Sequence, residues 1–464
     1  MADPVVERIK DWLKEREQDL LRDTRAMLQI PSLEAPAEPG APFGSDNRRA
    51  LDLALSLSEQ AGMKTTDLEG YLGYADFGTG ERLILSLGHL DVVPTGPGWK
   101  HDPFGAEIDQ GYIYSRGATD DKGPTMASLY AMWAIKECAP DLNVRFRQAF
   151  GCNEESGFAC VHRYMETEEA PTYGVAPDSG WPLYFAEKGI ANLIVTVPKN
   201  QGVFQLDFIE GGQRPNIVID RCECAVIVDD SIRAEIEAKL VDSWDKNLSF
   251  SWEGNRLAIV AIGKAAHGAN PFSGDSAAIR ALRFLNQIRP TDDETYFQHL
   301  FESTHIGGAG LGIAGSDEVS RDLTCNLGIV STEQDLIKLT FNVRYPVTWT
   351  GEQLKAMCES YLQTKNSELS LVEFEDSPSL YFPLDHPLVK TVVEVYREET
   401  GDMREPSTMG GGTYARAVPN TVSIGTCWPG DGYAHQTDER ISIESLFKAS
   451  RIYAHIFYRL ATLP

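Results

Sequence analysis

Four short stretches of the chain concentrate side chains that can hold metal ions and move protons. They are Gly88-His89-Leu90-Asp91, Ala118-Thr119-Asp120-Asp121-Lys122-Gly123, Gly151-Cys152-Asn153-Glu154-Glu155-Ser156 and Ala176-Pro177-Asp178. Imidazole with carboxylates, and without thiolate, is a ligand set suited to catalytic zinc, with manganese or cobalt as alternatives. A carboxylate bridging two such ions at about 3.5–4 Å acidifies the water between them enough to attack a carbonyl near neutral pH. Singly, each stretch is weak, because a histidine on a loop or paired acids in a turn is usually solvated surface. Four in succession are much harder to dismiss. Competing chemistries leave no comparable trace: there is no GxSxG elbow, no HExxH helix and no GxxxxGK[ST] loop. Gly310-Leu311-Gly312-Ile313-Ala314-Gly315 matches a dinucleotide fingerprint as a string. With no strand before it and no helix after it, it reads as a flexible loop.

The elements around these stretches are what give them a common location. Leu83 to Leu87 predicts a short apolar strand, and Val144, Phe146 and Gln148 begin another that runs into Gly151. A third is centred on Val175. Pro124 to Glu137 predicts a helix, with proline in its first turn and Asp120 or Asp121 placed to cap it. Strands alternating with helices argue for an α/β domain with a largely parallel sheet, in which ligands gather at the carboxyl ends of the strands. Segments distant in sequence therefore converge.

From about Glu187 the texture changes. Strands are expected at Ala191–Val197, Gln205–Ile209, Cys222–Val228, Arg256–Ile262 and Leu336–Arg344, with helices at Ser231–Leu240, Ser276–Ile288 and Gly351–Thr364. This is the pattern of an inserted α+β domain. After Pro387 the α/β style resumes and ends in a helix from Ile443 to Leu460, for which Ser442 is the N-cap candidate. Met1 to Leu28 reads as one amphipathic helix, with Val6, Ile9, Leu13, Leu20 and Leu21 near one face. It lacks the apolar core of a secretion signal.

Composition bounds the function classes. A hydrophobic fraction of 42% and a charged fraction of 24% are those of an ordinary globular protein. A formal net charge of −26 argues against nucleic-acid or anionic-membrane partners. No run of about 18 apolar residues predicts a membrane span. The eight cysteines include no CxxC pair, so neither a disulfide framework nor a thiolate zinc site is expected, and a cytoplasmic home follows. Cys222 and Cys224 read as neighbours on one face of a strand.

Taken together, GHLDVVP (88–94), RGATDDKGP (116–124), NEES (153–156), APD (176–178), GKAAHGANP (263–271) and GGGTYARAVPN (410–420) resemble the dinuclear zinc metallopeptidases of the M20 type. Within that group the chain is most similar to the peptidase V dipeptidases, from about residue 10 to the end. The resemblance implies two zinc ions per chain, His89 and Asp178 on one, Glu155 and His435 on the other, and Asp120 bridging them. Asp91 would orient the His89 imidazole. Glu154 would be the general base and His267 would stabilise the oxyanion. Arg344 in FNVRYP would clamp the substrate's terminal carboxylate, Asn216 would polarise the substrate, and Gly410, Gly411 and Gly412 would let backbone approach it. One departure is visible: the family often has an acid where this chain has Asn153, for which a local electrostatic change is expected.

The implied architecture is a zinc-dependent exopeptidase-like α/β catalytic domain, residues 1–186 and 382–464, interrupted by an α+β lid at 187–381. The implied activity is hydrolysis of dipeptides by a hydroxide held between the zinc ions. An N-acyl-amino-acid deacylase of the same fold is the alternative, and a non-catalytic metal-binding module is more distant. The enlarged lid implies a monomer in which His267 acts in cis.

Overall fold

Leu83–His89 is a strand buried along its whole length, as expected of an apolar run covered on both faces. The computed structural model describes residues 3–242, 245–290, 294–365, 368–432 and 434–464. The chain divides into two compact units, Met1–Phe185 with Phe382–Ser407 and Gly412–Pro464, and Ala186–Tyr381 with Thr408–Gly411.

In the first unit the Leu83–His89 strand lies parallel to both Arg145–Gly151 and Tyr173–Ser179. Thr421–Gly425, from the far side of the insertion, pairs parallel with Tyr173–Ser179 and completes a four-stranded parallel centre. Antiparallel strands extend it: Lys64–Leu68 and Leu72–Gly78 on one side, Leu183–Glu187 on the other. The Lys122–Cys138 helix packs on the strands and on the Ile443–Thr462 helix, and is buried on nearly every side. Two glycines seat its first turn. A Cβ on Gly88 would stand 2.0 Å from Thr125 Oγ1, and one on Gly123 would stand 2.2 Å from the Ala118 carbonyl. Strand end and helix start are thereby pressed together, with His89 and Asp120 beside the contact.

Three expectations are corrected. The N-terminal helix is two helices, Pro4–Glu15 and Glu17–Leu28, parted at Arg16, whose ψ of 13° leaves the helical range. Leu21 is only half-buried, while Val6, Ile9, Leu13 and Leu20 are in the core, and Met1 lies outside the described residues. Asp121 occupies the N-cap position of the Lys122–Cys138 helix, but its carboxylate does not cap the helix. It accepts from the His89 amide (3.2 Å) and the Thr125 hydroxyl (2.9 Å) instead. The Gly310–Gly315 segment is a tightly packed turn: a Cβ on Gly310 would fall 1.7 Å from the Glu302 carbonyl, and one on Gly312 2.2 Å from Tyr361. Its glycines are there for close packing around buried Leu311 and Ile313.

Arg147 ties the edge of this sheet together. Its guanidinium donates to both Asp76 oxygens (2.7 and 2.8 Å), to Glu168 (2.9 Å) and to the Tyr164 hydroxyl (3.1 Å), and lies 3.8 Å above the Tyr74 ring. Arg147→Met would leave two acids without their cation. The expected loss is ~2–4 kcal/mol, below the full cost of a broken interior pair because both acids keep some solvent. Chemical denaturation checks it. A change within ~0.5 kcal/mol would show that the cluster contributes nothing net.

The second unit is an antiparallel eight-stranded sheet. Its order is Leu248–Glu253, Arg256–Ile262, Arg221–Val228, Phe204–Gly211, Thr324–Glu333, Leu336–Tyr345, Gly189–Pro198 and Ser370–Ser377. Gly189–Pro198 alternates buried and half-buried residues, the period-two signature of a sheet with one covered face. The Ala277–Ile288 helix packs on that sheet, capped by the Ser276 side chain. Cys222 and Cys224 point into the same core.

Candidate metal centre

The carboxyl ends of the parallel strands carry the ionisable groups. His89 ends one strand, Glu154 and Glu155 follow the end of the next, and Asp178 is the penultimate residue of the third. Asp120 stands just before the Lys122–Cys138 helix. His435 lies between the Thr421–Gly425 strand and the last helix, with φ 63° in the left-handed region. Potential ligand atoms of His89, Glu154 and Asp178 all fall within 4.8 Å of one another, and so do those of His89, Asp120 and Glu155. His435 joins the second group, its Nε2 3.0 Å from Asp120 Oδ2 and 3.0 Å from Glu155 Oε1.

The orienting contacts are specific. His89 Nδ1 donates to the Asp91 backbone carbonyl (2.9 Å), which turns Nε2 toward Asp120 Oδ1 (2.9 Å). The Asp91 carboxylate stands farther from the ring, 3.5 Å from Nδ1. Its two oxygens accept the backbone amides of Glu154 and Glu155 (3.0 Å each), so it holds the carboxylate pair as much as the imidazole. Asn153 organises the same loop, donating to the Ser156 hydroxyl (2.7 Å) and accepting from the Ala159 amide (3.0 Å).

Burial pushes the Glu154 and Asp178 carboxyls well above their usual range and raises Glu155 as well, with neighbouring acids adding to the effect. Asp120 goes the other way: burial opposes it, but hydrogen bonds from His435 and His89 keep it ionised. At His89 burial disfavours charge, yet the bonds to Asp120 and Asp91 outweigh it and raise the ring well above its ordinary range. Bonds to Asp120 and Glu155 push His435 up to about 10. Four carboxylates and two imidazoles confined in so small a space have the donor chemistry and the charge deficit that a pair of divalent cations relieves. The residues fit such a centre.

The second unit gathers the other candidates. Arg344, on the Leu336–Tyr345 strand, is 4% exposed. Its Nε donates to Asn342 Oδ1 (2.9 Å) and its Nη1 to the Gly410 carbonyl (2.9 Å). Asn342 is held in turn by Asn192 (2.8 Å). His267 is exposed, its Nδ1 accepting from the Ala269 amide (3.2 Å), and it forms an isolated bridge with Ile217. The Asn216 carbonyl accepts from Gly268 (2.7 Å), so Asn216 and His267 lie on adjacent segments. A Cβ on Gly410 or Gly411 would meet only ordinary contacts, whereas one on Gly412, in the first unit, would stand 2.6 Å from Arg416 Nε.

The model of peptidase family M20/M25/M40 matches residues 85–459. The chain belongs to this family. It is 37% identical over 96% of its length, and 98% of the relative's, to YtjP of Bacillus subtilis (strain 168), which is provisionally named a dipeptidase. A similarly named protein of Staphylococcus aureus (strain USA300) is 31% identical, with 97% and 99% covered. Among solved structures, human carnosine dipeptidase 1 matches with a TM-score of 0.58 at 16% identity over the whole of both chains. The dipeptidase Dug1p of Saccharomyces cerevisiae matches with 0.58 at 14% over 99% of each. These structures share the fold, and the chain is a metallopeptidase of the M20 type. Among the described residues no helix is long and apolar enough to cross a membrane.

Two buried residues beside the family's motifs escaped sequence reasoning. Arg116 opens the quoted RGATDDKGP string without drawing notice, and Glu439 lies four residues past His435. Their only sequence signal is proximity to candidate ligands. Tyr414, within GGGTYARAVPN, is buried with its hydroxyl 2.7 Å from Cys160 Sγ and its ring edge-on to His89.

Proposed function

We propose that the protein hydrolyses dipeptides with two zinc ions held at the ends of the parallel strands. The observation that carries this reading is the convergence of His89, Asp120, Glu154, Glu155, Asp178 and His435 from separate stretches of sequence. His89 and Asp178 would hold one cation, Glu155 and His435 the other, with Asp120 shared. When bound, such a pair supplies Lewis-acid chemistry, polarising the scissile carbonyl and acidifying water.

The chain's own groups do the rest. Glu154, in its carboxylate form, takes the proton of the attacking water and, once protonated, delivers it to the leaving nitrogen. Asp91 fixes where that carboxylate stands by holding its backbone amide. The second unit serves the substrate: the His267 imidazole for the developing oxyanion, the Arg344 fork for the terminal carboxylate, Asn216 as a polar contact, and Gly410 to Gly412 as the backbone beside it. A guanidinium that reads the carboxyl end limits substrate length, which favours two residues over many. The dipeptidase names of the full-length relatives support the same substrate class. The reading is of a monomer, with His267 acting in its own chain.

The test is a panel of free dipeptides, a tripeptide and an N-acetyl amino acid, assayed with zinc or manganese and with a chelator. Dipeptide cleavage is expected to vanish on chelation and return with added metal, with the tripeptide cut far more slowly. Cleavage of the acylated substrate alone would make the protein a deacylase. Silence across the panel in folded, metal-loaded protein would overturn catalysis on amides.

A further inference from the structure

Behind the candidate ligands lies a buried carboxylate that the mechanism above does not use. Glu439 is 1% exposed, and its side chain faces the segment that carries Asp120. Oε1 accepts from the Thr119 amide (2.9 Å), the Thr119 hydroxyl (3.1 Å) and the Asp120 amide (3.3 Å). Oε2 accepts from Arg116 Nη1 (2.5 Å). Arg116, also 1% exposed, donates further to the Gln436 carbonyl (3.3 Å) and the Pro94 carbonyl (3.4 Å), with the Trp99 ring 5.3 Å from its Cζ. One ion pair thus touches three ligand-bearing segments: the one after Asp91, the one ending in Asp120, and the one holding His435. The neighbouring backbone reinforces it, because Arg440–Ser442 pairs with Tyr112–Tyr114 and the Ser115 amide donates to the Glu439 carbonyl (3.0 Å).

We propose that Glu439, clasped by Arg116, is a positioning residue that sets Asp120 against His435 and so fixes the separation at which two cations are held. This rests on the metal-centre reading above. An interior ion pair is a poor source of net stability, since desolvation offsets most of the attraction. This one is spent on loop geometry: all three contacts to Oε1 come from Thr119 and Asp120, and a bridging ligand needs its backbone placed as closely as its side chain. Glu439→Gln keeps the size but exchanges one acceptor for a donor that would face Arg116 or the Thr119–Asp120 amides. Thr119→Val removes a single hydroxyl contact and leaves both amides in place.

The experiment is a zinc titration of the full chain in competition with a fluorescent chelator, together with the melting temperature of the metal-free protein. Wild type is expected to bind two ions. Glu439→Gln is expected to bind at least one of them about 10–100-fold more weakly and, because Arg116 loses its buried counter-charge, to melt lower without metal, whereas Thr119→Val is expected to bind a few-fold more weakly with a metal-free melting temperature near wild type. Two ions bound equally well by wild type and both variants would overturn the inference and leave the metal centre standing. A Thr119→Val affinity that falls only in step with its metal-free melting temperature would make the pair structural and likewise overturn it. Should Glu439→Gln fail to fold, the Thr119→Val titration decides alone. Absence of zinc binding by wild type would instead remove the reading on which the inference rests.

Discussion

Glu154→Gln is expected to lower kcat by about 10²–10⁴-fold while two metal ions remain bound. The amide preserves the shape of the side chain but cannot accept a proton, so the loss should appear equally in kcat and kcat/KM. The geometry makes this a sharp test. A carboxylate oxygen of Glu154 lies within 4.8 Å of ligand atoms from both His89 and Asp178, close enough to be a ligand itself. A ligand and a base fail differently. Loss of one metal ion on substitution, measured by metal analysis after gel filtration, would make Glu154 a ligand and send the search for the base elsewhere. Retention of both ions with turnover gone would establish its part in proton transfer. Asp91, which holds the amides of Glu154 and Glu155 together, keeps the backbone unchanged in either case.

Arg344→Ala should cost about 10²–10³-fold in kcat/KM on dipeptides, corresponding to a truncated partner in a desolvated charged contact. The effect should be confined to substrates with a free carboxylate. Wild type would discriminate strongly between a dipeptide and its C-terminal amide, and the variant would treat the two alike. Arg344→Lys should recover little, because an ammonium cannot reproduce the planar fork. The structure also supplies the competing explanation. Arg344 holds the Gly410 carbonyl and is itself held by Asn342, so its removal could disturb the glycine segment directly. Equal losses on acid and amide substrates would assign Arg344 to that architecture and deny it a share in carboxylate recognition.

Much of the fold was legible because its periodicities are clean. Arg256–Ile262 and Gly351–Thr364 lie where alternation and helical spacing put them, and the helix from Ile443 runs two residues past its expected end, to Thr462. Lys64–Leu68 and Leu72–Gly78 were not legible: the first is polar and at most half-buried, the second opens on four buried residues in a row, and neither alternates. Thr421–Gly425 was hidden for the opposite reason. Five residues, all buried, offer no period at all. The Gly310–Gly315 error has a physical cause too. Glycines placed for close packing look the same in sequence as glycines placed for mobility. At the candidate centre, residue type and order pointed to His89, Asp120, Glu154, Glu155 and Asp178, whereas His435 came only from the family resemblance. The tertiary contacts of Arg116 and Glu439 had no local signature, because two residues more than three hundred positions apart leave none.

The pairing of Thr421–Gly425 with Tyr173–Ser179 has a consequence for biosynthesis. A chain emerging from the ribosome presents the first three parallel strands long before the fourth exists. Until then the fully buried core of Tyr173–Ser179 has an unmatched hydrogen-bonding edge, the kind of surface that recruits wrong partners. The second unit, contiguous but for its last few residues, is made while that edge waits. His435 arrives later still. The nascent protein therefore passes through a stage with most of its acids in place and its last imidazole absent, and under the proposed ligand set the second cation would have its full complement of ligands only once His435 has been made.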